Sequence, residues 1–331
     1  MINQKLIIQL VKNKPILIVA GEPYSVFFEI FFKSIKKEVY KSPLILICCK
    51  KNLMSQMKKF NFNRKIQILN PKNLDIKKIN NKKINLINVE LYNSNIKKLK
   101  LKLKKNYIER CFNLSFQLIR NGFTDKLING PINKKKFLDK KFLGITEYIS
   151  FYFKKKNIGM LIYNKKLSVC PLTTHLPLKQ VPAKITKKLI SQKIDLINYF
   201  YKKQLKIKAK IAVTGLNPHC ESIESYNEDE NIIPQVVKSK IKKGINVKGP
   251  YPSDTIFLEK NRQKFNVILG MYHDQVIGPI KTLFEYDAIN ITMGLPFLRV
   301  SPDHGPNIEM LGKNKSNPLS LIKALDFLDD K

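Results

Sequence analysis

The chain of 331 residues contains no apolar run that approaches the ~20 residues of a membrane-spanning helix. Its first residues also lack the charged and apolar stretches of a secretory leader. The five cysteines include no C-x-x-C pair, and their odd number without regular spacing favours free thiols in a reducing compartment. These absences predict a soluble, cytoplasmic protein with no membrane partner.

Neither a G-x-G-x-x-G nor a G-x-x-x-x-G-K-[ST] sequence occurs, so a nucleotide site of the Rossmann or P-loop type is unsupported. Gly21-Glu-Pro23 is the only early strand-to-helix turn that could approach a ligand, and a plain structural turn is an equally good interpretation. The residues that would bind a nucleotide cofactor therefore stay unknown.

Arginine is scarce although the net charge is +36, since nearly all of the 61 basic residues are lysines. Arginine is the side chain that most often binds base edges and planar anions. The lysines, moreover, are spread along the whole chain rather than clustered. We therefore interpret the charge mainly as compositional drift and expect no specific nucleic-acid partner. A basic binding protein is kept as an alternative.

Apolar residues make up 44% of the chain, which is enough for a substantial core. Short apolar runs at 15–21, 43–49 and 65–70 alternate with helical periodicity, which indicates a parallel sheet covered by helices. Residues 71–98 are rich in Lys and Asn, and we expect little regular structure there. A second α/β block with several further strands follows. The fold class is therefore α/β, with a first domain boundary near residue 130.

Three of the four histidines, His175, His219 and His273, each follow the C-terminal end of a predicted strand. Parallel strands bring these ends to one edge of a sheet, where open α/β sheets bind ligands. Three imidazoles at that edge suit a catalytic Zn²⁺ or a similar divalent ion, although a lone His is more often a satisfied loop or core residue. His304 lies between Pro and Gly residues, and we expect it to have a structural or cofactor-side role.

Six short motifs follow one another along the chain. They are Thr173-Thr-His-Leu-Pro-Leu178, Gly215-Leu-Asn-Pro-His219, Pro252-Ser-Asp-Thr255, Met271-Tyr-His-Asp-Gln275, Asn290-Ile-Thr-Met-Gly-Leu-Pro296 and Asp303-His-Gly305. With them the chain resembles the 4-hydroxythreonine-4-phosphate dehydrogenase family of vitamin B6 synthesis. The resemblance implies a two-domain isocitrate/isopropylmalate-dehydrogenase-like fold with a central cleft. It implies a first domain of residues 1–127 plus about 286–331, and a second domain of residues 128–285 that carries the histidines.

The resemblance also implies the chemistry. The enzyme would be a homodimer with shared active sites that oxidises 4-phosphooxy-L-threonine with NAD or NADP, and loss of CO₂ would give 3-amino-2-oxopropyl phosphate. One divalent ion (Zn, Mg or Co) would bind each set of His175, His219 and His273. The implied substrate-binding residues are Thr146, Lys281, Asn290 and Arg299.

Asp274 and Asp254 are the candidates to relay a proton or to orient a histidine. The chain also departs from the family pattern at four places. Ile145 replaces a His, Val276 replaces a Gly, the stretch 24–28 is bulky, and 220–225 replaces a Gly-rich loop. These departures leave two alternatives open, namely a dehydrogenase of the same fold acting on another 3-hydroxy acid, or a degenerate, non-catalytic basic binding protein.

Overall fold

The structure is a computed structural model that describes residues 13–37, 39–91, 100–133, 137–138, 141–142, 144–302 and 305–331. The chain divides into two compact units. Unit 1 comprises Met1–Ile145 with Pro296–Lys331, and unit 2 comprises Thr146–Leu295. Among the described residues, no helix is both long enough and apolar enough to cross a bilayer.

Unit 1 is built on parallel strands in the order β3-β4-β2-β1-β5-β12. Their bounds are β1 Ile16–Val19, β2 Leu44–Cys48, β3 Ile66–Ile68, β4 Ile84–Asn88, β5 Lys126–Asn129 and β12 Leu298–Pro302. The helices of this unit are α1 Phe27–Lys37, α2 Lys50–Lys59, α3 Leu101–Arg120 and α11 Leu319–Asp329. The strands β1, β2 and β5 are buried along their whole length, as expected of parallel strands covered on both faces.

The opening of unit 1 has the predicted β-α-β-α-β order, but the expectation of little structure in 71–98 is wrong. Strand β4 lies in this stretch and pairs with both β2 and β3. Its first four residues are buried although the surrounding sequence is dominated by Lys and Asn. Local composition concealed the strand, because Lys and Asn residues dominate its flanks and its pairing with two distant strands is not visible in the sequence.

Unit 2 has the strand order β11-β6-β7-β10-β8-β9. Its strands are β6 Gly159–Tyr163, β7 Ser168–Pro171, β8 Ile211–Thr214, β9 Val247–Tyr251, β10 Val267–Gly270 and β11 Ile289–Met293. Its helices are α4 Ile145–Tyr152, α5 Lys187–Phe200, α6 Glu228–Asn231, α7 Ile233–Lys242, α8 Ser253–Ile256, α9 Glu259–Arg262 and α10 His273–Phe284. Strand β6 is antiparallel to both of its neighbours, whereas β7, β10, β8 and β9 run parallel.

The boundaries of the compact units differ from those expected. Strand β5 lies between β1 and β12 and so belongs to unit 1. Strand β11 pairs with β6 along its whole length and so belongs to unit 2, although the sequence placed everything after 285 in the first domain. The limits of the compact units therefore fall at 145/146 and 295/296, rather than at 127/128 and 285/286.

Candidate active site

Three neighbouring parallel strands of unit 2 end at one edge of the sheet. Gly270 at the end of β10 is paired with Pro171 of β7, and Leu269 is paired with Val213 of β8. The segments that follow β7, β10 and β8 carry His175, His273 and His219, respectively, and His273 is the first residue of α10. The three strands that precede the histidines are therefore neighbours in the sheet.

His175 and His273 are brought together. Their ring centroids lie 6.1 Å apart with an angle of 35° between the ring planes. Imidazoles with this separation can share a divalent ion after small adjustments, because metal–nitrogen bonds are about 2.0–2.1 Å long. The side chains of both residues are partly open to solvent, so a ligand can reach them.

His219 is placed differently. It and the next residue, Cys220, adopt left-handed backbone angles, with φ of 56° and 62°. The buried carboxylate of Asp229 shapes this loop by accepting hydrogen bonds from the backbone nitrogens of Leu216 at 2.6 Å and Asn217 at 3.0 Å. In the part of the chain that the structure describes, no group of three or more His, Cys, Asp or Glu side chains could hold a metal ion. The three-histidine metal site therefore stays a prediction.

Asp274 orients His273. Its Oδ1 lies 2.8 Å from Nδ1 of the imidazole. Because a carboxylate can only accept, this contact favours the proton on Nδ1 and leaves Nε2 with its lone pair free for a metal or a proton. Asp274 also lies in the first turn of α10, where the helix dipole stabilises a negative charge.

A small cavity of about 60 Å³ adjoins His175 and is also lined by Thr146, Glu147 and Lys193. The structure thus brings the predicted substrate residue Thr146 next to a predicted metal ligand. Oε1 of Glu147 lies 3.9 Å from Nδ1 of His175. Glu147 was not among the residues predicted from the sequence. Its place directly after Thr146, a residue that the family resemblance had already singled out, was the available signal.

Lys281 and Asn290 lie farther from the histidine edge. Lys281 is eight residues after His273 on α10, which corresponds to about 12 Å along the helix axis. Asn290 is paired with Ile162 of β6, which in turn is paired with Val169 inside the sheet. Both residues are half-buried, and their contact with a substrate stays a prediction.

Arg299 lies on β12 in unit 1 and is fully buried. Its Nε donates a hydrogen bond of 2.8 Å to Oδ1 of Asn129 at the end of β5. A guanidinium retains its charge when buried, so an acceptor of this kind is needed to stabilise it. The structure thus gives Arg299 a role in holding two neighbouring strands, while its contact with a substrate stays a prediction.

Asp254 is exposed in the short helix α8. Burial raises the pKa of the Cys220 thiol to about 11, and the negative charges of Asp229 and Asp254 contribute to this rise. The role of Asp254 as a proton relay stays a prediction. His304, the fourth histidine, lies outside the described residues.

Three of the departures from the family pattern are buried apolar residues. Val276 is fully buried and belongs to a core cluster with Ile268 and Ile280. Ile145 and the start of α1 at Phe27 are also buried. These side chains therefore fill the protein interior.

The family model of the pyridoxal phosphate biosynthetic protein PdxA matches residues 41–328. The chain belongs to this family. A PdxA-family relative from Sulfurihydrogenibium sp. (strain YO3AOP1), named 4-hydroxythreonine-4-phosphate dehydrogenase, is 43% identical over 208 residues, which are 61% of this chain and 64% of the relative. A relative of the same name from Aquifex aeolicus (strain VF5) is 39% identical over 62% of this chain and 64% of its own length. The matched stretch thus spans slightly less than two thirds of these PdxA-family relatives.

The fold agrees with the PdxA family over nearly the whole chain. The crystal structure of 4-hydroxythreonine-4-phosphate dehydrogenase from Klebsiella pneumoniae is similar with a TM-score of 0.80 at 26% identity, over 96% of this chain and 98% of that one. The resemblance predicted from the motifs and the α/β fold class are both confirmed by these comparisons.

Proposed function

We propose that the chain catalyses the NAD-dependent oxidation and decarboxylation of 4-phosphooxy-L-threonine to 3-amino-2-oxopropyl phosphate and CO₂, in pyridoxal phosphate biosynthesis. Membership of the PdxA family and the name of the relatives support a dehydrogenase of this kind. The observation that carries the proposal is the approach of His175 and His273 to 6.1 Å, beside a cavity that Thr146 lines.

In this proposal His175, His219 and His273 hold one divalent ion, which is Zn²⁺, Mg²⁺ or Co²⁺. Nitrogen ligands favour zinc and cobalt over magnesium. When bound, the ion supplies Lewis acidity at the substrate hydroxyl oxygen, and NAD or NADP supplies the hydride acceptor. The donor set fits such an ion in its chemistry and in its strand positions, with two of the three rings already close together.

The remaining residues bind, orient or move a proton. Asp274 holds the proton on Nδ1 of His273 and thereby directs Nε2 of the ring towards the ligand. Lys281 and Arg299 pair with the phosphate or carboxylate groups of the substrate, and Asn290 orients it through its amide. Asp254 relays the proton that leaves the substrate hydroxyl.

A homodimer with shared active sites is part of the proposal. On one chain Lys281 lies about 12 Å along α10 from His273, which is far for a single small substrate to bridge. Unit 2 also exposes large apolar side chains that a second copy could cover, including Phe151, Leu178 and Ile223. A cytoplasmic location is consistent with the five unpaired cysteines.

The proposal is tested with purified protein, NAD or NADP, 4-phosphooxy-L-threonine and each metal in turn. We expect NADH or NADPH to form together with CO₂, and His273→Ala to lower kcat/KM by roughly 100-fold or more. A matched control is Tyr201→Phe, which removes one buried hydroxyl at the other end of β10 and leaves the histidine loops intact. Turnover no greater than that of a triple His→Ala variant would contradict the proposal.

One observation favours a second substrate class. Ile145 is buried and apolar at the position where the family has a His beside Thr146, so one polar contact for the phosphate is lost. A dehydrogenase of the same fold acting on a non-phosphorylated 3-hydroxy acid would retain the metal and the NAD chemistry. A higher kcat/KM with such an acid than with 4-phosphooxy-L-threonine would favour this candidate.

A further inference from the structure

The side chain of Gln275 joins the ends of two strands in unit 2. Gln275 is the third residue of α10 and is only 8% exposed. Its Oε1 accepts hydrogen bonds from the backbone nitrogen of Met271 at 2.7 Å and from Oγ1 of Thr214 at 2.9 Å. Its Nε2 donates a hydrogen bond of 2.7 Å to the carbonyl oxygen of Gly215. One amide thus connects the end of β10 with the end of β8.

These two strand ends lead directly into the histidine loops. Gly215 begins the segment that reaches His219, and Met271 lies two residues before His273. We infer that Gln275 is a positioning residue that fixes the distance between the His219 and His273 loops. Its importance for catalysis rests on the proposed function, in which both histidines bind one ion.

Only a side chain that both accepts and donates can make this connection. Leucine has a similar volume but makes none of the three hydrogen bonds. Glutamate retains the acceptor but replaces the donor by an oxygen that faces the carbonyl oxygen of Gly215. Thr214 is fully buried, so water cannot replace the lost partner without opening the core.

A neighbouring hydrogen bond also holds the end of β10. The hydroxyl of Thr173, at the end of β7, donates a hydrogen bond of 2.8 Å to the carbonyl oxygen of Met271. Met271 is therefore held through its nitrogen by Gln275 and through its oxygen by Thr173. In a Gln275→Leu variant only the Thr173 contact would remain, so the Met271 nitrogen would lose the hydrogen bond that fixes its position.

The first experiment measures metal binding by the full chain with Co²⁺ as the probe, through the visible absorption of the bound ion. We expect Gln275→Leu to weaken Co²⁺ binding by roughly 10- to 100-fold and to change the spectrum, as the loss of residues that support metal ligands does. The control Tyr201→Phe removes a buried hydroxyl that contacts Ser168 at the start of β7 and donates a hydrogen bond of 3.2 Å to the carbonyl oxygen of Asn266, at the opposite end of β10. An equal loss of Co²⁺ affinity in both variants would overturn the inference.

The second experiment needs no metal. The chain has only four histidines, so their ring signals can be followed by NMR after selective isotope labelling. We expect Gln275→Leu to shift the signals of both His219 and His273, whereas Tyr201→Phe leaves both unchanged. A shift of His273 alone would overturn the inference, because the two loops would then be independent.

A milder variant covers the case in which Gln275→Leu fails to fold. Thr214→Val removes one of the two hydrogen bonds that link Gln275 to the end of β8, with almost no change in shape. We expect smaller shifts of the same two ring signals, and unchanged signals would count against the positioning role. If wild-type protein binds no Co²⁺, the metal-dependent function is refuted, whereas the ring signals still decide the role of Gln275.

Discussion

Val276 and Gly270 pack against each other in the core of unit 2, and their contact can be tested by a double-mutant cycle. A Cβ atom added at Gly270 would overlap with Cγ1 of Val276 and would lie 3.1 Å from Oε1 of Gln275. Valine has a stiff side chain that cannot easily turn away. The glycine at 270 is therefore required by the valine at 276, and a smaller residue at 276 should make an alanine at 270 tolerable.

The magnitudes follow from burial. Val276→Ala removes two fully buried methyl groups and leaves a cavity, which lowers the free energy of unfolding by about 2–3 kcal/mol. Gly270→Ala overpacks the same site and costs about 1–3 kcal/mol. In the double variant the added methyl occupies the space that the valine leaves. We therefore expect the double variant to be more stable than the sum of the single effects predicts, by about 1–3 kcal/mol.

Urea denaturation followed by circular dichroism measures these differences, provided that the slope of each transition is unchanged. The matched control is Gly278→Ala on the same helix, where an added Cβ meets no atom within 4 Å. Pro279 follows this glycine, and an alanine before proline is disfavoured in a helix, which offsets the gain from replacing glycine. We therefore expect a change of less than about 1 kcal/mol that is additive with Val276→Ala. The packing argument fails if Gly270→Ala and Val276→Ala are additive within about 0.5 kcal/mol.

Three further predictions concern single residues. Asn129→Ala should lower the free energy of unfolding by about 1.5–3 kcal/mol in urea melts, because the buried charge of Arg299 loses an acceptor, and a smaller loss would contradict this. Asn227→Ala should lower it by about 1–2 kcal/mol, since the side chain caps α6 through two backbone nitrogens, and no change would mean that the cap contributes nothing. Cys220 should react with iodoacetamide at pH 8 at least roughly tenfold more slowly than free cysteine, because a pKa of about 11 leaves little thiolate, and a rate equal to that of free cysteine would refute the raised pKa.

The strand ends could be predicted because two simple signals coincide there. In β8 and β10 an unbroken apolar run identifies a strand buried on both faces, and the abrupt change to polar residues identifies its end. Since neighbouring parallel strands end at the same edge, the histidines that follow could be assigned to one edge without knowledge of side-chain positions. The proximity of His175 and His273 follows from this rule.

The residues that hold the segments around these histidines could not be predicted, because they act through contacts between parts of the chain that are distant in sequence. Gln275 reaches Thr214 over 61 positions of the sequence, and nothing in the local pattern marks it among other polar residues. Asp229 shapes the His219 loop from the first turn of α6 in the same way. Strand β4 was missed for a related reason, since its pairing with β2 and β3 joins segments that are distant in the sequence.

Val276 and Ile145, two of the departures from the family pattern, are buried, and their burial changes what these departures imply about function. A bulky residue at 276 would indicate a damaged active site if its side chain faced the substrate. Val276 instead lies in the core, where Gly270 leaves room for it. Ile145 likewise adds apolar contact where it removes a polar group. The departure that directly adjoins a predicted ligand is then the loop at Cys220, which follows His219 in a left-handed conformation. If the three histidines hold one ion as proposed, a change in metal affinity should originate in that loop, because His175 and His273 already lie 6.1 Å apart.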